Sequence, residues 1–297
     1  VGLTYLKELI TSSDVLIENF KVGGLQKFGL DYCALRVKNP RLIYCSVTGF
    51  GQDGPRAQKA GYDFMIQGMT GIMDITGEPD GMPQKVGVAF ADVFTGLYGV
   101  IGIQAALAQR ERTGLGQQVD MALFDCMLAA QANQNLNYLT TGESPKRMGN
   151  AHPSIVPYQV FPVSDGHIVI ACGNNRQFKN LAQALERNDW IEDPIFADNM
   201  TRISNRTEVI SQITEELSRF AKSEVLVLLE AAGVPSGPIN TVAEALEDPQ
   251  TSHREMRIEP EGIPGVRTPI NFSASNLQIK RAAPGLGEHN ERSSLEN

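Results

Sequence analysis

The chain has 297 residues, is 42% hydrophobic and 20% charged, and carries a net charge of −8, so it has room for one large domain or two ordinary ones and the make-up of a soluble globular protein. That acidic balance argues against nucleic acid as a partner, because phosphate contacts need clustered Lys and Arg, and no apolar run is expected to reach the ~20 residues of a membrane span. The cysteines, Cys33, Cys45, Cys126 and Cys172, lack metal-ligand spacing and read as buried free thiols, so no metal site is expected.

The front of the chain alternates helix and strand, the pattern of a parallel α/β sheet. "LTYLKELI" has apolar residues at helical spacing, "DVLIENF" is strand-like, and "RLIYCSVTGF" is a β-branched and aromatic run ending in glycine. "VFTGLYGVIGIQAALAQRERTG" predicts a buried helix, stopped by Gly114 after a cationic last turn. "GQQVDMALFD" offers a further strand, and "DCMLAAQANQNLNYLTTG" one more helix. The polar, turn-rich "ESPKRMGNAHPSIV" reads as a linker. "PYQVFPVSDGHIVIACG" is a hairpin signal, and three helical stretches follow it. The tail from about residue 251 is strand and loop with prolines.

Two features bear on chemistry. Gly49, Gly51 and Gly54 spell G-x-G-x-x-G after a strand, but Pro55 and "RAQKAG" follow where a dinucleotide site needs a helix N-terminus. A turn-rich loop is the expectation. The second feature is Asp92, the only charge between Gly87 and Leu107. A lone carboxylate in apolar surroundings is costly unless paired or used. From the residues alone Asp92 is either the N-cap of the following helix, worth about 1 kcal/mol, or a reactive group.

Several segments taken in order narrow the choice. "IENFKVGGLQKFGLDYCALRVKNPRLIYCSVTGFGQDGP", "AGYDFMIQGMTGIMDITGEPDG", "ADVFTGLYGVIGIQAAL", "RTGLGQQVDMALFD" and "GPINTVAEALEDPQ" together resemble the family III CoA-transferases. "GNAHPSIVPYQVFPVSDGHIVIACGNNRQF" most resembles the succinyl-CoA–glutarate branch of that family. The resemblance implies an α/β protein with a split Rossmann-like large domain, a parallel sheet and a small α+β domain, in an interlocked homodimer. It assigns residues 1–142 to the large CoA-binding domain, 143–156 to a linker, 157–250 to the small domain, and 251–297 to a segment returning toward the large one. The family's first strand and helix have no counterpart here and would precede Val1, leaving a sheet edge exposed.

The same resemblance places the family's nucleophile at Asp92. It implies attack on an acyl-CoA to give an aspartyl anhydride, then an aspartyl-CoA thioester, which the incoming acid resolves in reverse. Anhydrides hydrolyse, so water must be excluded, and Val88, Ala89, Phe90, Val93 and Phe94 are the right residue types for a dry pocket. Tyr62 stands where related 2-methylacyl-CoA racemases carry a histidine base. A tyrosine, with an ordinary pKa of about 10, is a poor base at neutral pH, which favours transferase over racemase. A non-catalytic fragment of the fold is the remaining alternative. Asn19 and Phe20 match positions near the adenine and pantetheine of CoA. Lys27 and Lys59 are either phosphate-binding cations or solvated surface charges. His152 and Ser154 occupy the place of a glycine-rich closing loop and are candidates to contact the acceptor's distal carboxylate. The implied substrates are an acyl-CoA such as succinyl-CoA and a free dicarboxylate. No permanent cofactor, nucleic acid or membrane is expected, and the implied compartment is the cytoplasm, or the mitochondrion in a eukaryote.

Overall fold

The structure is a computed structural model that describes residues 2–288. Residues 289–297, the end of the expected return segment, and His289 with them, lie outside the described residues. The fold divides into two compact units, Val1–Pro153 and Ser154–Asn297.

The first unit opens with α1 (Gly2–Ser12), β1 (Val15–Glu18), a short 3-10 turn (Gln26–Phe28), α2 (Tyr32–Lys38) and β2 (Ile43–Thr48). It continues with α3 (Asp63–Met69), α4 (Phe90–Thr113), β3 (Gln118–Ala122), α5 (Leu123–Ala130) and α6 (Asn133–Thr141). The strands form one parallel sheet in the order β1-β2-β3. β2 is central and reads IYCSVT, nearly all of it buried, as a parallel strand covered on both faces should be. One face packs Leu42 and Tyr44 against Ile10, Leu30 and Leu35. The other packs Ile43 and Cys45 against Ile103 and Ala106 of α4.

α4 departs from the buried helix expected of its sequence. Its buried residues, Ala91, Thr95, Gly99, Ile103, Ala106 and Arg110, form a single stripe at spacings of three and four. Leu97, Val100 and Ile101 stay more than half exposed, because only one face meets the sheet and α5. The expectation that no run approaches membrane-span length is also corrected: α4, at 24 residues, is long and apolar enough by length and composition. Its glycines, alanines and threonine interleave with the large apolar residues, which breaks up the run as read in sequence. Gly114 ends the helix in the left-handed conformation, its N–H donating to Arg110 O at 2.8 Å, as the sequence indicates. Arg110 is buried at that end and pairs with Asp14 at 2.9 Å.

The one helix expected from Asp125 to Gly142 is two. The chain breaks at Ala132, whose φ is +40°, and the Gln131 amide turns inward to donate to Thr70 O at 2.6 Å. α2 and α3 have only seven residues each, too few for a periodic signal. Asp31 caps α2 by accepting from the Ala34 N–H.

In the second unit β4 (Tyr158–Val163) and β5 (Gly166–Ala171) form an antiparallel hairpin. α7 (Asn175–Ala184), α8 (Asp189–Glu192), α9 (Asn199–Ser204), α10 (Arg206–Leu217) and α11 (Lys222–Ala231) follow, and β6 (Ser236–Pro238) pairs with β5. The inward residues of the hairpin, including Phe161, Ile168 and Ile170, meet Leu181, Trp190, Ile213 and Leu229 in one core. Within it Arg202 is fully buried, satisfied by Val156 O, Phe196 O and Asn175 Oδ1 and stacked over Phe178. α12 (Val242–Glu247), α13 (Pro249–His253) and the short β7 (Arg257–Ile258) and β8 (Gly265–Val266) complete it.

Three of the four thiols, Cys45, Cys126 and Cys172, are buried as expected. Cys33 is exposed, because it lies at the start of α2 on the side away from buried Leu35.

Candidate active site

The carboxyl ends of the three parallel strands gather the groups of interest, the place where open α/β sheets hold ligands. Asn19 lies one residue past β1, Val47 is the penultimate residue of β2, and Leu123 follows β3. With Tyr62, Asp92 and Gly96 they line a cavity of about 370 Å³. A second lobe of about 230 Å³ shares Asn19, Val47, Gly61 and Tyr62 and adds Phe20, Lys21 and Lys59. One end of this cleft therefore carries two carboxylates, Asp63 and Asp92, and the other carries two cations beside an exposed aromatic ring.

Backbone contact fixes the wall between the lobes. Gly49, just past β2, lies against Gly61: a Cβ built on either would meet the other's Cα at 2.5–2.6 Å. The G-x-G-x-x-G run is a turn with no helix after it. Its amides are already engaged, Gly51 N–H donating to Thr48 Oγ1 and Gln52 N–H to Asp120 Oδ2. Gly49 serves close packing rather than a phosphate.

Asp92 does not cap α4. The helix begins at Phe90 with Ala89 in the cap position and no side-chain cap there, so Asp92 sits inside the first turn, three residues after the cap. The capping bond comes from elsewhere, with Ala91 N–H donating to Asp63 Oδ1 at 2.8 Å. Burial, and next the negative charge of Asp63, push the Asp92 carboxyl above the ordinary carboxylate range. A carboxylate of raised basicity, without a capping duty, in a cleft at a helix N-terminus, is suited to nucleophilic work.

A sequence profile described as CoA-transferase family III matches residues 2–290. The chain is 50% identical over 293 residues to a succinate–glutarate CoA-transferase of Agrobacterium fabrum, covering 97% of this chain and 73% of that one. It is 38% identical over 295 residues to the succinyl-CoA:glutarate CoA-transferase of Homo sapiens, covering 97% and 67%. The crystal structure of a CaiB/BaiF family protein from Brucella suis superposes with a TM-score of 0.89 at 55% identity, covering 98% of this chain and 77% of that one. The chain belongs to CoA-transferase family III. It is an α/β enzyme that moves CoA between acyl-CoA thioesters and carboxylic acids, and CoA thioesters are its substrates.

Against that family the residues picked from sequence divide clearly. Asp92, Tyr62 and Asn19 meet in one lobe, and Phe20 and Lys59 join Asn19 and Tyr62 in the other. The Asn19 amide donates to Val47 O at 2.6 Å, tying the end of β1 to β2. Tyr62, the N-cap residue of α3, is 72% exposed, so its ring stands open to a ligand rather than packed in the core. Lys27 lines neither lobe and lies 4.9 Å from the Phe28 ring centroid. Lys21, which sequence reading passed over, lines the cationic lobe; its signal was its place two residues after Asn19. His152 is not among the residues lining the cleft. Ser154 begins the second unit, where its carbonyl accepts from Asn199. The dry pocket expected from Val88, Ala89, Phe90, Val93 and Phe94 is not formed by this chain's described residues: Val88 and Val93 are 53% and 46% exposed. Val88 and Val93 face outward because the first turn of α4 presents Ala91, with Phe90 partly buried beside it, to the core.

Proposed function

We propose that this enzyme carries CoA from succinyl-CoA to a dicarboxylate acceptor such as glutarate, with Asp92 as the nucleophile. The observation that carries this reading is a first-turn carboxylate of raised basicity, free of capping duty, that opens into the same cavity as Tyr62 and Asn19. The acyl pair is suggested by the names of the Agrobacterium and human relatives.

The Asp92 carboxylate adds to the thioester carbonyl and the C–S bond breaks, giving a mixed anhydride and CoA thiolate. The thiolate then attacks the Asp92 carbonyl, releasing succinate and leaving an aspartyl-CoA thioester. The acceptor carboxylate attacks that thioester to form a second anhydride and expel the thiolate. Attack of the thiolate on the acceptor's acyl carbon gives the new acyl-CoA and restores Asp92. The N-terminal turn of α4 offers partial positive charge to the oxyanions that develop. Lys21 and Lys59 supply charge for the CoA phosphates, and Tyr62 donates a hydrogen bond to the acyl group.

A homodimer and a reducing, cytoplasmic-type compartment belong to the same proposal. The exposed apolar face of α4 is the kind of surface a second copy covers, and the described cysteines are free thiols.

The test is product analysis in deuterated water with succinyl-CoA and glutarate and, in a parallel reaction, with a 2-methylacyl-CoA. Glutaryl-CoA formation, abolished in Asp92→Ala, is the expected result. Deuterium entering the α-carbon of a 2-methylacyl-CoA, with no glutaryl-CoA formed, would turn the reading toward a racemase.

A further inference from the structure

The cap of α4 is supplied through a two-residue relay from α3. Asp63 Oδ1 accepts from Ala91 N–H at 2.8 Å, and Asp63 Oδ2 accepts from Gln67 Nε2 at 2.8 Å. Gln67 is fully buried; its Oε1 accepts from Val86 N–H at 3.0 Å, and its Nε2 also donates to Val88 O at 3.3 Å. Two side chains of one short helix thus hold Val86, Val88 and Ala91, the backbone that leads into Asp92.

The polarity of the relay is determined. Val86 N–H is a donor only, so the oxygen of the Gln67 amide must face it and the nitrogen must face Asp63. Both carboxylate oxygens of Asp63 therefore meet donors, the arrangement that a charged carboxylate satisfies and an amide does not. Asp63 is itself only half-buried and lines the Asp92 cavity.

We infer that Asp63 and Gln67 are a positioning pair for the transfer reaction: they fix the first turn of α4 so that the Asp92 carboxylate is presented at the acyl carbon. This rests on Asp92 being the nucleophile. The negative charge of Asp63 has a second effect in the same direction, since it raises the basicity of its neighbour. A misplacement of ~1 Å can cost about 10²-fold in rate, and the segment it governs has no cap of its own.

The experiment compares Asp63→Asn, the double variant Asp63→Asn/Gln67→Glu, and Asp92→Ala in the full chain. Asp63→Asn sets an NH2 group against the Gln67 NH2 group. The double variant restores a consistent relay. In it the amide oxygen introduced at position 63 accepts from Ala91 N–H, and the new NH2 group donates to the carboxylate introduced at position 67. That carboxylate in turn accepts from Val86 N–H, and only the longer contact to Val88 O is given up. The expected result is a roughly 100-fold lower kcat for Asp63→Asn, with the KM for succinyl-CoA within threefold of wild type. At least a tenfold recovery is expected in the double variant. The melting temperature of each variant is read beside kcat, and a kcat loss in Asp63→Asn that exceeds any loss of folded enzyme separates positioning from bulk stability. The inference is overturned if Asp63→Asn keeps its kcat within threefold, if KM rises while kcat holds, or if the double variant is no better than the single. An active Asp92→Ala enzyme overturns the nucleophile reading itself, whereas an inactive one beside an unimpaired Asp63→Asn overturns only the relay. Should Asp63→Asn fail to fold, the double variant decides alone: a folded double variant with kcat below a tenth of wild type contradicts the relay.

Discussion

Gly61→Ala tests how tightly the site is tied to the sheet. The added Cβ would lie 2.6 Å from the Gly49 Cα and 3.3 Å from its carbonyl carbon, whereas carbon atoms at ease sit about 3.5–4.0 Å apart. The deficit is roughly 1 Å, and both partners are backbone, so no side chain can rotate away. Gly61 is not among the glycines with positive φ, so the cost is steric and not conformational. Overpacking of this kind destabilises by about 1–3 kcal/mol. The displacement falls on the residue preceding Tyr62 and Asp63, so ~1 Å of movement is passed to the first turns of α3 and α4 and should lower kcat by about 10²-fold. Gly237→Ala is the control: its Cβ meets nothing within 4 Å, and it lies on β6 in the other unit. Thermal unfolding and steady-state transfer kinetics on both variants are the assay. A Gly61→Ala enzyme with the melting temperature and kcat of wild type would refute the claim that this contact sets the cleft.

Three further outcomes follow from the same chemistry. Because burial and Asp63 raise the Asp92 pKa, and the nucleophile must be ionised, the acid limb of the kcat/KM profile should lie above the ordinary carboxylate value of about 3.9; a limb at or below that value contradicts the assignment. Thiol labelling of the native protein should modify Cys33 first. Burial raises the pKa values of Cys45 and Cys126 and pushes that of Cys172 up to about 12, so rapid labelling of Cys172 would contradict the packing of the second core. Arg202→Ala should destabilise that unit by about 3–5 kcal/mol, since it removes a buried guanidinium that satisfies two carbonyls and the Asn175 amide oxygen; denaturant unfolding measures it.

The legible parts of the sequence were those where one local signal sufficed. β2 announced itself as a continuous β-branched and aromatic run, the hairpin at 158–171 by its Ser-Asp-Gly turn, and the end of α4 by Gly114 after two arginines. Resemblance singles out Asp92, Tyr62 and Asn19, which line one cavity, and the G-x-G-x-x-G run, which lacks a following helix in the sequence, is a turn-rich loop in the structure. What stayed hidden depended on distance. Whether Asp92 caps its own helix is decided by Asp63, far earlier in the chain, on a helix too short to show periodicity. The exposed face of α4 is equally unreadable locally, because its sequence is apolar all round and only packing selects the stripe from Ala91 to Arg110. The break at Ala132 follows from a tertiary bond between Gln131 and Thr70, not from a helix breaker.

The central claim is that Asp92 becomes covalently linked during transfer. Mixing the enzyme with succinyl-CoA, quenching rapidly and mapping peptides by mass spectrometry tests it most directly. The account predicts a succinyl or CoA adduct on the peptide containing Asp92, absent from Asp92→Ala and discharged by glutarate. Glutaryl-CoA formed with no adduct on that peptide, or an Asp92→Ala enzyme that still turns over, would contradict it.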